Sequence, residues 1–181
     1  MKKYHIKARQ SWEAFSHEGE NYCLKHLNIH EVRFSGNKGN YNFVVTYGLH
    51  CFTKDGQEYS LPVTYSDNHE ERQVHLERYH LSKYLRGFIE TLDKNKILFE
   101  TTREKYFFFE YKDNLTNEDK KCKVCICMFK ENRLLRIHVT SAFFIQQETI
   151  PNNKSYSIFK IALDTKNKPR NRQIPKEATR K

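Results

Sequence analysis

The chain is 181 residues long, with 32 Lys/Arg against 22 Asp/Glu and a formal net charge of +10. Its 38% hydrophobic and 30% charged residues suit a soluble domain whose core needs no staples. No run approaches the roughly 18–20 apolar residues of a membrane span, and the opening MKKYHIKARQSWEAF holds no apolar signal-peptide core, so a cytoplasmic protein with no membrane partner is expected.

The charge is unevenly spread. From Lys166 to Lys181 seven Lys/Arg face one acid, Glu177, which puts +6 in this tail and leaves +4 for the other 165 residues. KNKPRNRQIPKEATRK also has two prolines and one large aliphatic residue, so it cannot build a core. The expected organisation is a single domain over 1–165 and a flexible basic tail over 166–181. An excess of positive charge favours an anionic partner, RNA or other nucleic acid first, although a solvated terminus is the plainer reading of the tail.

From Ile29 the dominant signal is strand. HEVRFSG, a turn over Gly36–Asn40, YNFVVTYGLHCFT, an Asp55-Gly56 turn and EYSLPVTY predict an antiparallel N-terminal meander. In it Tyr41, Phe43, Val45, Tyr47 and Leu49 share one face. A helix follows over 75–92, with Leu81, Leu85, Phe88 and Leu92 on one stripe and Arg78, Ser82 and Arg86 on another. Gly87 inside it costs about 1 kcal/mol relative to alanine, which suggests that its backbone packs closely on a neighbour. KILFE, KYFFFEY, the long segment CKVCICMFKENRLLRIHVTSAFF and SYSIFKIAL then read as further strands. The fold class expected is α+β, an antiparallel sheet with one principal helix packed on it.

Within 122–144 a turn at KENR (130–133) sets Phe129 opposite Leu134. In that register Phe129, Cys127, Cys125 and Lys123 share a face with Leu134, Arg136, His138 and Thr140. Cys122 points the other way, so Cys122, Cys125 and Cys127 cannot converge on a tetrahedral metal. Reduced cysteines and no metal or cofactor are expected. Arg136 and His138, on one strand face, are the groups metal-free RNA cleavage would use, histidine to move protons and cations to stabilise phosphate charge. A solvent-facing sheet surface accounts for them equally simply. In GLHCFT, His50 is expected on a strand face with Thr46 and Phe52 and is also readable as a core histidine. Arg78, near the helix start, is also readable as a structural partner of a carboxylate such as Asp67.

The segments GLHCFT (48–53), ERYHLSKYL (77–85), EKYFFFE (104–110), RIHVTSAFF (136–144) and SIFKIALDTKNK (157–168), in that order, resemble a family of bacterial and phage proteins. Its members are sometimes labelled heat-shock protein C or stationary-phase adaptation protein. The resemblance covers about residues 40–168 and puts His50, Thr53, Arg78, Ser82, Tyr106 and Ser141 at the family's polar motif positions. Lys105 and Phe143 depart from the Asn and Tyr commoner there, and the family labels carry no mechanism. The helix followed by sheet strands is similar, at the level of layout, to barnase/RelE-like ribonuclease toxins.

The function expected is a metal-independent ribonuclease, a toxin or phage-defence effector. His50, Arg78 and His138 are its candidate catalytic residues, and Thr53, Ser82, Tyr106, Arg136 and Ser141 its candidate substrate-binding residues. An antitoxin or the ribosome would be its partner. The alternative is a non-enzymatic nucleic-acid or ribosome-binding module, or a regulatory interaction protein.

Overall fold

A computed structural model describes residues 4–37, 39–56, 58–94, 97–100, 105–113, 116–145, 155–167 and 174–179. Its strands are β1 (Phe15–His17), β2 (Glu20–Tyr22), β3 (His30–Gly36), β4 (Gly39–Tyr47), β5 (Ser60–Ser66), β6 (Glu71–His75), β7 (Leu98–Glu100), β8 (Lys105–Lys112), β9 (Asp119–Glu131), β10 (Leu134–Phe144) and β11 (Ser155–Tyr156). Its α-helices are α1 (Leu76–Glu90) and α2 (Ile158–Asn167). The protein is therefore mostly β. A seven-stranded sheet runs in the order β11-β7-β8-β9-β10-β4-β3, and β1-β2 and β5-β6 form separate two-stranded sheets.

This corrects the expected α+β layout in three respects. The sheet is mixed, because β4 lies parallel to β10. Parallel neighbours need a long crossover, and here it runs through the β5-β6 hairpin, α1 and β7 to β9. The N-terminal half is no meander: β3 and β4 pair, but β5 pairs only with β6. GLHCFT leaves the sheet, with Leu49–Cys51 in a 3-10 turn. Finally, SYSIFKIAL is not a strand. After β11 it becomes α2, burying Ile158, Ile161, Ala162 and Thr165 at helical spacing; a short apolar run fits either period, and the core settles it.

Both helices pack into one core with one face of the sheet. Tyr41, Phe43, Val45 and Tyr47 of β4 do alternate into it, beside Ile137 and Val139 of β10 and Phe107 of β8. Phe88 of α1 stacks on Phe109 at 3.8 Å, and Tyr84 meets Tyr111 at a 40° tilt with 4.3 Å between ring centroids. Gly36 ends β3 where a Cβ would stand 2.8 Å from the Phe159 ring, so only glycine admits α2 this closely.

Gly87 shows no such approach. It is exposed, and nothing lies within 4 Å of where its Cβ would be, contrary to the packing inferred from sequence. Gly87→Ala should accordingly stabilise the protein by about 1 kcal/mol by removing a backbone-entropy cost. A thermal melt should rise by about 2–4 °C; an unchanged or lower midpoint would count against this account.

The β9-β10 hairpin closes two residues tighter than KENR suggests. Asn132 and Arg133 both take positive φ, 48° and 68°, as a two-residue turn requires. Glu131 then faces Leu134, Arg136 faces Phe129 and His138 faces Cys127. A shift of two preserves faces, so Cys125 and Cys127 still share a side opposite to Cys122. A bulge between Val139 and Ser141 moves Lys123 opposite Phe143 rather than Thr140.

Of the basic tail, residues 168–173, 180 and 181 lie outside the described residues. Residues 174–179 have a defined place. Ala178 is fully buried against Ala8 and Phe129, with Ile174 and Cys127 alongside. The Lys176 and Thr179 carbonyls accept hydrogen bonds from His69 (2.7 Å) and Asn68 (3.3 Å). The tail, expected to build no core, nonetheless buries Ala178.

Candidate functional site

The hexapeptide GLHCFT is anchored by nearly every group it has. Gly48 donates its N–H to the Val139 carbonyl at 2.8 Å, and a Cβ there would stand 3.1 Å from the His138 ring nitrogen and 3.2 Å from the Thr140 carbonyl. The Cys51 thiol donates to the Val139 carbonyl, and the Thr53 hydroxyl to the Leu49 carbonyl at 2.8 Å. Phe52 gives its carbonyl to the His75 N–H at the start of α1, and Arg78 Nη1 donates to the carbonyls of His50 and Thr53, both at 3.0 Å. Leu49, Cys51, Phe52 and Thr53 are buried. His50 is the one side chain of this turn that reaches outward, 32% exposed.

There it meets a carboxylate. Asp67 Oδ1 accepts the backbone N–H groups of His69 and Glu70, an Asx-type turn before β6 that presents Glu70. Glu70 Oε1 lies 2.5 Å from His50 Nε2, and Glu70 Oε2 takes a 3.1 Å bond from Arg72 Nη1. Burial alone would raise the Glu70 carboxyl, but the hydrogen bonds and charge of His50 and Arg72 outweigh it and hold it below its ordinary value. A carboxylate only accepts, so Nε2 carries the proton and Nδ1 is left as the basic nitrogen.

Beside this pair stand two guanidiniums. Arg72 is matched by Glu70, with Asp55 at 3.7 Å. Arg78 has no carboxylate partner among the described residues; burial, and then the nearby charge of Arg72, push its guanidinium below its ordinary value. The carboxylate partner considered for it from sequence, Asp67, is engaged by backbone N–H groups instead.

The structure thus joins three of the candidate residues, His50, Thr53 and Arg78, and disperses the rest. Arg136 and His138 do share a face of β10, but they are 0% and 1% exposed. Arg136 donates to Glu131 through Nη1 and to Thr46 Oγ1 through Nη2 at 2.9 Å, and its guanidinium stands 5.2 Å from the Phe129 ring. Thr46 in turn bonds His138 Nδ1 at 2.9 Å. Burial, then Arg136, lower His138 to about 3. Ser82 is buried in α1, bonded to His26 Nε2 at 2.7 Å and donating to the Tyr79 carbonyl. Ser141 faces Cys125 across the hairpin. Tyr106 lies on β8 under the ammonium of Lys123, 4.0 Å from its ring centroid.

Glu70 and Arg72 were missed in the sequence. Their i, i+2 spacing puts them on one side of an extended segment, but pairing of Glu70 with His50, 20 residues earlier, has no local signal. Among the described residues no group of three or more His, Cys, Asp or Glu is placed to hold a metal, and no helix is long and apolar enough to cross a membrane.

The YjaZ family profile matches residues 14–166. The chain belongs to the YjaZ family. Protein YjaZ of Escherichia coli (strain K12) is 32% identical to it over 178 residues, an alignment covering 92% of this chain and 95% of that protein. No solved structure matches this YjaZ-family chain.

Proposed function

We propose that this YjaZ-family protein cleaves RNA without a metal, at His50, Glu70, Arg72 and Arg78. The observation that carries the reading is the half-buried Arg78 guanidinium, close to a second arginine, bonded to no carboxylate among the described residues and adjacent to a histidine–glutamate pair. Two guanidiniums repel; a phosphate between them would relieve that repulsion and accept their N–H groups. The net charge of +10 favours a polyanionic substrate.

In this reading His50 Nδ1 takes the proton of the RNA 2′-hydroxyl while Glu70 stabilises the imidazolium, as a carboxylate does in hydrolytic triads. The 2′-oxygen attacks phosphorus and the bond from phosphorus to the 5′-oxygen breaks. The leaving oxygen takes a proton from water, and the imidazolium returns its own to solvent. Arg78, with Arg72, holds the charge that builds on the phosphoryl oxygens. Products are a 2′,3′-cyclic phosphate and a 5′-hydroxyl. His138 and Arg136, sealed in the sheet, take no part.

Purified protein should cut total RNA in EDTA, and His50→Ala or Arg78→Ala should each lower the rate at least about 100-fold with an unchanged circular dichroism spectrum. His138→Gln, if folded, should cut as the wild type does. Intact RNA after prolonged incubation with the wild type, or full activity in His50→Ala, would overturn the proposal.

A further inference from the structure

The face of the sheet turned away from the two helices carries a second group of residues. In the β7-β8-β9-β10 ladder Phe99 pairs with Tyr106, Tyr106 with Cys125 and Cys125 with Ser141. Two residues along, Phe108 faces Lys123 and Lys123 faces Phe143. Phe99 stacks beside Tyr106 at 5.5 Å and 25°, and Phe108 closes on both at 5.8 and 5.7 Å. Lys123 spans the Tyr106 and Phe143 rings, 4.0 and 5.9 Å from their centroids, and Lys121 lies 5.9 Å from that of Phe108.

Phe99, Phe108, Phe143 and both lysines are only half-buried. Lysines on an edge strand are explained by protection against edge pairing, but β8 and β9 are interior strands of this sheet, so that explanation fails here. Three half-exposed phenylalanines on interior and near-edge strands leave apolar rings toward solvent; Lys123 sets positive charge among them, and Lys121 stands beside Phe108 in an ion pair with Glu110 at 2.9 Å. Flat π-faces set among cations match the alternation of bases and phosphates in an unpaired strand, where stacking is sequence-tolerant. A duplex hides its base faces and offers only the charge.

We infer that this face, centred on Phe99, Phe108, Lys123 and Phe143, binds single-stranded nucleic acid by stacking its bases on the rings. The Gly48 N–H bond to Val139 ties the His50 turn to β10, the strand that also carries Phe143. Tyr106 on β8 is then about three strand spacings from that turn, roughly 14 Å. As the substrate track of the His50 centre the surface rests on the RNA-cleavage reading; as a binding surface it stands by itself.

The test is fluorescence anisotropy with a labelled oligodeoxythymidine 12-mer, which lacks the 2′-hydroxyl and cannot be cut by the proposed route. Phe108→Leu keeps an apolar side chain and removes the ring; Lys123→Gln keeps the stem and removes the charge. Each should raise Kd at least about 10-fold, with unchanged circular dichroism, and only Lys123→Gln should flatten the dependence on salt. A duplex of equal length should bind at least about 10-fold more weakly than the single strand. Wild-type binding in both variants, no binding by the wild type, or equal affinity for duplex and single strand would overturn the inference. Binding through these residues by a protein that cuts no RNA would remove the cleavage proposal and leave this one standing; cleavage with no effect of either variant would do the reverse.

Discussion

Arg136→Ala should destabilise the protein by about 3–5 kcal/mol, the cost of breaking a buried ion pair from one side. Arg136 is fully buried, and its removal strands the Glu131 carboxylate at 5% exposure with Thr46 beside it. The vacated volume next to Phe129 adds a cavity penalty. A urea titration should show the midpoint falling with its slope unchanged. Replacing both partners, Arg136→Met with Glu131→Leu, should recover most of the loss, since an apolar pair pays no desolvation penalty. A single variant that loses less than about 1 kcal/mol would mean that the pair is not the closed, dry contact described.

Acid should destabilise the protein well before its carboxylates titrate. Burial, then Lys83, lowers His26 to about 4; burial, then Arg86, lowers His30 to about 4 against the opposing charge of Glu90. With His138 at about 3, three histidines are held neutral in the fold, while an unfolded chain protonates them near 6.5. The unfolded state therefore binds more protons below pH 6.5. The stabilisation is complete above that pH and is lost as pH falls from 6.5 toward 4 for His26 and His30 and toward 3 for His138. Each histidine contributes up to about 1.4 kcal/mol per pH unit in that window, so the three together remove roughly 4–6 kcal/mol between pH 7 and pH 5. That is a large part of a typical stability of about 5–15 kcal/mol. Urea titrations at pH 7.5, 6 and 5 measure it, and His30→Gln should lower the slope with pH. A free energy of unfolding that stays level from pH 7 to pH 5 would refute the neutral burial of these rings.

Period and turn chemistry made some elements readable from local sequence. Leu81, Leu85 and Phe88 mark α1 because a 3.6-residue stripe leaves little else for them to be. The alternation of Tyr41, Phe43, Val45 and Tyr47 marks β4, and the split of Cys122 from Cys125 and Cys127 survives even a register shift of two. SYSIFKIAL reads as a strand only when its apolar run is taken whole; Ile158, Ile161, Ala162 and Thr165 stand at the i, i+3, i+4, i+7 spacing of a helix face, and that face is the one buried.

The sequence by itself determined which segments are amphipathic, which face of each is apolar, and that the chain carries a large positive excess. Only the fold settled that β4 runs parallel to β10, that Arg136 and His138 are sealed inside the protein, and that His50 meets Glu70 at the β5-β6 turn. The physical reason is the range of the interactions. Periodicity is a property of neighbouring residues, whereas burial of a polar face and the pairing of distant charges depend on which segments the fold lays over one another.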